Sequence, residues 1–273
     1  MVTLLCPVCA SPLTAQERSY SCPNGHSFDR ARSGYVNLLL RGGQGKRHGD
    51  DRRMVRARAE FLQKGYYDGL SRAVCACAAN YAPQGAVTLV DAGCGEGKYT
   101  CDVCAALTAA GHEVSAVGID ISRDALPYAA RRSRALTLCV ASSAAMPLPD
   151  GCADLLLNLF SPFEPREFRR VLRPGGVLLR VYPLARHLWE LKERIYGQPY
   201  ENPPLPLAAE GFSLTEERRV EETILLTEQA DVAHLFEMTP YYYKTGREDQ
   251  AKLDDIDSLR VTLSCGVAVY RAV

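Results

Sequence analysis

What this chain lacks most clearly is a long hydrophobic run. Hydrophobic residues make up 47% of its 273 residues, but no apolar stretch reaches the roughly 18 residues that a membrane helix needs. The first residues, Met-Val-Thr-Leu-Leu-Cys-Pro, also lack the basic region of a secretory signal peptide. These two absences predict a cytoplasmic protein without a membrane partner.

Net charge is absent as well, because 32 Lys and Arg residues balance 32 Asp and Glu residues. The balance hides an uneven distribution. Residues 1–72 contain twelve basic and six acidic residues, a net charge of +6, and the rest of the chain carries the opposite excess. Such asymmetry favours a polyanionic partner for the first part of the chain, although a solvated basic surface would give the same count.

Cysteine is plentiful, with eleven residues, yet the sequence argues against a disulfide framework. Six of the cysteines lie inside apolar helix and strand patterns, where free thiols are common in a reducing cytosol. They are Cys75, Cys77, Cys101, Cys104, Cys139 and Cys152.

Four other potential ligands lie close to the N-terminus in two short pairs. Cys6 and Cys9 form a C-x2-C pair, and Cys22 and His26 form a C-x3-H pair twelve residues later. Two such turns place three thiolates and one imidazole around a zinc ion. With all four positions filled by protein, the zinc would be structural, and it would help a module too small to fold by itself. A redox pair or a coincidence is the alternative.

A glycine-rich, basic stretch follows the module and leads into a helix. Met54, Ala57, Phe61 and Leu62 recur at helical spacing, which predicts a bridging helix. The basic side chains of this region would contact RNA phosphates and position the RNA without specifying its sequence. They are Arg41, Lys46, Arg47, Arg52 and Arg53.

The glycine-rich turn after Asp91 is the most informative motif. Val87 to Val90 predict a buried strand, and Gly93, Gly95 and Gly97 then form a turn into a helix. A dinucleotide-binding turn would need Gly or Ala where Lys98 stands, which argues against NAD. The pattern resembles motif I of the class I S-adenosylmethionine (SAM) methyltransferases.

From this point strands and helices alternate, which predicts an α/β fold with a mostly parallel, Rossmann-like sheet. We expect the last strand to be antiparallel and the ligand to bind at the carboxyl ends of the strands. There Asp120 would accept the ribose hydroxyls, although it could instead serve the turn at Ser122. Asp91 would hold the ammonium group of the methionyl part. Ser142 would meet the adenine edge, with ordinary loop hydrogen bonds as the equal alternative.

Over almost its whole length the chain resembles the 23S rRNA guanine-N1 methyltransferases of the RlmA group. The resemblance is carried by the cysteine and histidine pairs, by Gly34-Tyr35-Val36-Asn37, by the motif around Asp91, and by Arg186-His187-Leu188. It implies a zinc ribbon at residues 1–36, a basic linker and bridging helix at 37–72, and a SAM-dependent domain at 73–273. It also implies zinc and SAM as cofactors and an rRNA hairpin as the partner. Around SAM it suggests Tyr67, Glu96, Tyr99 and His187 in addition to the residues named above.

The expected reaction is methyl transfer to N1 of a guanine in a hairpin loop of 23S rRNA. Guanine N1 lies on the Watson–Crick edge, so the base has to be unpaired or flipped before it reacts. Glu164 and His187 are the candidates for the base that removes the N1 proton, and neither is assigned. The sequence leaves a homodimer open. Two rival functions also remain: methylation of a small molecule, and RNA binding without catalysis.

Overall fold

The computed structural model describes residues 2–40 and 49–273 of the chain. The first part folds as a small antiparallel sheet of three strands in sequence order. Its strands are β1 (Thr14–Ala15), β2 (Ser19–Ser21) and β3 (Ser27–Asp29). One predicted ligand pair lies before β1, and the other lies between β2 and β3. Beyond it, the chain forms β4 (Val36–Asn37), α1 (Arg52–Gln63) and α2 (Asp68–Tyr81).

The remainder alternates between strands and helices, as the sequence predicts. The elements in chain order are β5 (Ala86–Ala92), α3 (Lys98–Ala109), β6 (Glu113–Asp120), α4 (Leu126–Arg132), β7 (Thr137–Val140), β8 (Ala153–Leu159), α5 (Pro165–Val171), β9 (Leu172–Pro183), α6 (Trp189–Ile195), β10 (Phe212–Leu226), α7 (Gln229–Glu237), α8 (Tyr241–Lys244), α9 (Arg247–Ala251) and β11 (Leu259–Ala272).

One large sheet organises the described part of the chain, in the order β10-β11-β9-β8-β5-β6-β7-β4. Strands β4 to β9 pair in parallel with their neighbours, whereas β11 is antiparallel to both β9 and β10. The predicted Rossmann-like sheet with an antiparallel last strand is therefore confirmed. The strand order changes direction at β5, where β6 and β8 lie on opposite sides, and such a switch point opens a ligand crevice at the carboxyl ends.

Strand β4 is the one strand of this sheet that the sequence analysis did not predict. Val36 and Asn37 pair with Cys139 and Val140 of β7, so the segment after the zinc ribbon extends the catalytic sheet. A two-residue strand has no measurable alternation, and its partner lies about a hundred residues away in the sequence. The predicted boundary between residues 36 and 37 falls inside this strand, and the boundary between 72 and 73 falls inside α2. The domain boundaries themselves stay a prediction.

The small module packs directly against the large sheet. Leu4 and Leu13 belong to the same buried cluster as Met146 and Leu148, and the backbone N–H of Leu5 donates to the Pro147 carbonyl at 2.8 Å. Helix α1 buries its apolar face as predicted, including Phe61. Among the described residues, no helix combines the length and the apolar composition needed to cross a bilayer.

Candidate cofactor and metal sites

The four predicted zinc ligands come together at the tip of the small module. The ligand atoms of Cys6, Cys9, Cys22 and His26 all lie within 4.8 Å of one another. His26 Nδ1 is 3.6 Å from the Cys6 sulfur and 3.4 Å from the Cys22 sulfur, and the Cys9 and Cys22 sulfurs are 3.7 Å apart. Ligands at about 2.0–2.3 Å from a tetrahedral zinc ion would be separated by roughly 3.4–3.8 Å. The spacing therefore fits a closed zinc site.

Local backbone turns hold these ligands in place. The N–H of Ala10 donates to the Cys6 carbonyl at 2.8 Å, and the N–H of Gly25 donates to the Cys22 carbonyl at 3.1 Å. Hydrogen bonds from the side chains of Asn24 and Ser11 lower the pKa of Cys9 to about 5. The thiolate is the form that binds a metal. All eleven cysteines are free of disulfides, as the sequence analysis expects.

At the other site, the glycine-rich turn curls over the end of β6. The N–H groups of Gly93 and Cys94 both donate to the Ile119 carbonyl, at 2.8 and 3.0 Å. Glycine is required at two positions for steric reasons. Gly93 has φ +98°, and an added Cβ would lie 2.5 Å from Ser161 Cβ; at Gly97, with φ +82°, it would lie 2.9 Å from Ala129 Cβ. Side chains here would force apart the segments that form the crevice.

Asp120 and Asp91 flank this turn at the carboxyl ends of two neighbouring strands. One oxygen of Asp120 accepts the Gly95 N–H at 2.8 Å, and the other accepts the Ser122 N–H at 2.7 Å. Each oxygen keeps a second lone pair, so Asp120 can bind the Gly95 and Ser122 N–H groups and still accept hydrogen bonds from a ligand. Asp91 is almost fully buried, and one of its oxygens accepts the Thr100 hydroxyl at 2.5 Å.

Two polar atoms in this region are buried without a hydrogen-bond partner among the described residues. They are Asp91 Oδ1 and the Tyr99 hydroxyl. Burial raises the pKa of Asp91 to about 7. A buried carboxylate oxygen without a partner is costly, so the arrangement fits a ligand that brings a cationic donor. The ammonium group of SAM is such a donor, and the donor set here fits SAM.

Tyr67 and His187, two further predicted SAM contacts, are both buried side chains on other elements. Tyr67 is buried before α2 and makes an edge contact with Phe61, with ring centroids 5.8 Å apart. The backbone N–H of Ser264 donates to His187 Nδ1 at 3.3 Å, which places the proton of the neutral ring on Nε2. Burial lowers the pKa of His187 to about 4, so the ring is neutral at physiological pH and its donor atom is Nε2.

The sequence comparisons bear on both sites. Residues 4–40 match the family described as "RlmA, N-terminal", a zinc ribbon, and residues 89–176 match a "Methyltransferase domain". The chain is 40% identical over 194 residues to the 23S rRNA (guanine(748)-N(1))-methyltransferase of Streptomyces fradiae, covering 70% of this chain and 67% of that one. The chain belongs to the 23S rRNA (guanine-N1-)-methyltransferase family.

Two further relatives agree. A protein of Micromonospora griseorubida named as a candidate 23S rRNA (guanine-N(1)-)-methyltransferase is 41% identical over 211 residues, which cover 70% of this chain and 69% of that one. YxjB of Bacillus subtilis, named for the same activity, is 29% identical over 272 residues, which cover 97% and 95%. The predicted family, the class I methyltransferase fold and the pairing of SAM with zinc are therefore confirmed for this methyltransferase.

Two of the predicted SAM contacts have side chains that already accept hydrogen bonds within the methyltransferase. The Oε2 atom of Glu96 accepts from Arg132 Nε at 3.1 Å and from the Lys98 N–H at 2.9 Å, and the Glu96 carbonyl also accepts from Arg132 Nε at 3.0 Å. The Ser142 hydroxyl oxygen accepts the Ala144 N–H at 3.2 Å, the loop hydrogen bond that the sequence analysis leaves open. The individual SAM contacts stay predictions.

Sequence reasoning missed one charged side chain at the site. Arg58 of α1 lies over the turn, with its Nη1 3.9 Å from where a Cβ on Gly95 would stand. It forms an ion pair with Asp50 at 2.5 Å and donates to the Met238 carbonyl at 3.0 Å. In the sequence it is one of several arginines in a basic stretch. Only the packing of α1 across the crevice distinguishes it from its neighbours.

A broad groove of about 640 Å³ runs along the outer side of α1 and α7. Arg53 pairs there with Glu237, and Arg56 pairs with Glu60. Arg52 is exposed and forms no ion pair with any described residue. The other predicted phosphate contacts, Arg41, Lys46 and Arg47, lie outside the described residues.

Proposed function

We propose that this protein transfers a methyl group from SAM to N1 of a guanine in a hairpin loop of 23S rRNA. The observation that carries the proposal is the joining of two sites by one sheet. A closed three-cysteine, one-histidine site stands on a module whose next strand, β4, extends the sheet that carries Asp91 and Asp120. A small-molecule methyltransferase would have no use for this module.

We assign the parts of SAM to residues as follows. Asp120 would accept the ribose hydroxyls with the free lone pairs of its two oxygens. Asp91 Oδ1 would accept from the ammonium group, and the Arg58 guanidinium over the turn would meet the carboxylate. Tyr67, Tyr99 and His187 would enclose the methionyl part, with His187 Nε2 and the Tyr99 hydroxyl as donors. Support comes from the burial of Tyr67, Asp91 and His187, and from two buried atoms, Asp91 Oδ1 and the Tyr99 hydroxyl, that lack a hydrogen-bond partner among the described residues.

When bound, SAM supplies a methyl group that its sulfonium already activates. The protein therefore has to align the guanine N1 atom and keep water away, which is mainly a proximity effect. His187 is unsuited to remove the N1 proton, since its Nδ1 accepts from the backbone and its pKa is lowered to about 4. Zinc shapes the RNA-binding module and takes no part in the chemistry.

The test is incubation of the purified protein with labelled SAM and unmodified 23S rRNA, followed by mass mapping of the labelled nucleotide. We expect label on N1 of a single hairpin guanine. Label found only in small metabolites would favour the small-molecule reading, and failure to bind SAM would favour RNA binding without catalysis. Sedimentation of the same sample tests whether the protein is a homodimer. Action in the cytoplasm is part of the proposal and is supported by the eleven free thiols.

The affinity for SAM should depend on pH through Asp91. Because burial raises its pKa to about 7, the ligand-free carboxyl is mostly protonated at pH 6 and loses its proton as the pH rises through 7. Only the ionised form pairs with an ammonium group, so calorimetry should show tighter SAM binding at about pH 7.5 than at about pH 6.

The raised pKa of Asp91 predicts the opposite pH dependence for the stability of the ligand-free protein. A carboxyl whose folded pKa is raised stabilises the fold below its unfolded pKa of about 4, and this stabilisation is lost as the pH rises through 7. Asp91→Asn should bind SAM weakly and remove both trends. If wild type and Asp91→Asn show the same pH dependence, Asp91 is not the titrating group.

Charge reversal at Arg52 should weaken RNA binding and reduce its dependence on salt. Each phosphate contact contributes about 0.7–0.9 to the slope of log K against log salt concentration. We expect Arg52→Glu to lower the slope by about that amount without changing the affinity for SAM. Arg166→Glu is the matched control, since Arg166 is an exposed arginine on α5. Equal slopes for the two variants would mean that RNA binds elsewhere.

A further inference from the structure

The loop after β8 holds an aromatic residue in a strained backbone conformation. Phe160 has φ +53°, and apart from glycines only Ala10 and Leu188 share a positive φ in the described part of the chain. This region is unfavourable for residues with a Cβ, and a bulky side chain there is uncommon. Strain of this kind persists where the surrounding structure enforces it, and it is concentrated at functional sites.

Hydrogen bonds around the loop hold Phe160 in this strained conformation. The Asn158 side chain donates to Ser161 Oγ at 2.6 Å and to the Pro162 carbonyl at 2.9 Å. Ser161 Oγ donates to the Ala92 carbonyl at 2.6 Å, and the Phe160 N–H donates to the Val181 carbonyl at 3.1 Å. The loop is thus tied to β5 on one side and β9 on the other, and the Phe160 ring is directed outward.

The ring is exposed although the loop's other aromatic is not. Phe160 is 44% exposed. Phe163, three residues later, contacts the Phe168 ring at 5.8 Å and lies under the Arg180 guanidinium at 3.7 Å. One face of Phe160 stacks on His187, with centroids 6.0 Å apart and an interplanar angle of 29°. A ring supported on one side and open on the other is suited to receive a second planar group.

The position of the Phe160 ring indicates which planar group it receives. Ser161, the next residue, packs against Gly93 of the cofactor turn, and His187 behind the ring is one of the proposed SAM contacts. An open aromatic face beside the methyl donor fits a nucleobase that has left its stack. We propose that Phe160 is the platform on which the target guanine stacks during methyl transfer, with His187 as its support. This inference rests on the proposed function.

The test compares Phe160→Ala and Phe160→Leu with Phe160→Tyr on an unmodified 23S rRNA hairpin. Loss of one base–aromatic stack should lower kcat/KM for RNA by roughly 5- to 150-fold in the Ala and Leu variants, whereas Tyr should retain most activity. SAM affinity should be unchanged in all three. Leu225→Ala is the control, because Leu225 is 51% exposed on the edge strand β10. A wild-type value of kcat/KM for Phe160→Leu would contradict the proposed stacking of the guanine on Phe160.

Two further readouts separate this role from a structural one. Phe160→Gly should melt at a higher temperature than Phe160→Ala, because both lack the ring and only Ala keeps the backbone strain. Equal melting temperatures would show that the backbone at residue 160 is not strained. In a Trp189→Phe background, the indole introduced by Phe160→Trp is the only one in the chain, and the hairpin should quench its emission. Methylation without quenching would also overturn the inference. If wild type itself leaves guanine N1 unmethylated, the proposed function fails instead.

Discussion

Cys9→Ser should release the zinc ion and abolish methylation of 23S rRNA while binding of SAM survives. Cys9 is one of four ligands in a closed site whose atoms lie within 4.8 Å of one another, so its loss leaves the site one ligand short. Structural zinc contributes about 10–16 kcal/mol to the folding of small modules. Without the metal, the module should lose its fold. Asp91, Asp120 and the glycine-rich turn belong to other elements and should stay folded.

Three measurements check this result: metal content by mass spectrometry, methylation of rRNA, and SAM affinity by calorimetry. Cys152→Ser is the matched control, since Cys152 is a half-buried thiol outside the module. Methylation by the metal-free Cys9→Ser protein would show that the module is dispensable. Loss of SAM binding would be informative too, because β4 joins the module to the sheet. It would mean that the cofactor site depends on this joint.

Asp120→Ala should weaken SAM binding by about 1–3 kcal/mol, which corresponds to roughly 5- to 150-fold in Kd. The substitution removes the proposed acceptor for the ribose hydroxyls. It also removes the two acceptors that hold the N–H groups of Gly95 and Ser122, so the glycine-rich turn loses its anchor to β6. Both effects act in the same direction on affinity.

Asp120→Asn should show a smaller loss, because an amide keeps one oxygen but its nitrogen cannot accept the second N–H. Asp124→Ala serves as the control, since it removes the same charge four residues along the same loop. Calorimetry gives the affinities, and melting curves without ligand show whether the fold is intact. Unchanged affinity in a folded Asp120→Ala protein would exclude Asp120 from the SAM site.

Features that depend on residues close together in the sequence were predicted more completely than features that depend on distant residues. Each pair of zinc ligands lies within a few residues along the chain, and so do the glycines of the turn, so spacing alone identifies them. The strands also followed from periodicity. Strand β8 (Ala153–Leu159) is an example, because a buried parallel strand is a short apolar run between turns. Helix α7 was missed, because nothing in the sequence analysis singled out residues 229–237.

The local roles of individual side chains were harder to predict. Sequence reasoning left two alternatives for Asp120, ribose acceptor or partner of Ser122, and the geometry is compatible with both since each oxygen has a lone pair to spare. For Glu96 the neighbour that matters is Arg132, 36 residues away. A pattern within one segment cannot reveal which distant side chain will occupy a carboxylate.

The sequence by itself determined the parts of this methyltransferase: a metal-binding pair of turns, a strand–glycine turn–helix unit, and an alternating order of strands and helices. Each is set by short-range geometry, such as the reach of two cysteines or the bend that only glycine allows. Tertiary structure alone decided how the parts meet. It placed β4 beside β7, Arg58 over the turn, the proton of His187 on Nε2 and Phe160 in an open, strained position. These features depend on contacts between segments far apart in the chain, whose relative positions are fixed only when the sheet has formed.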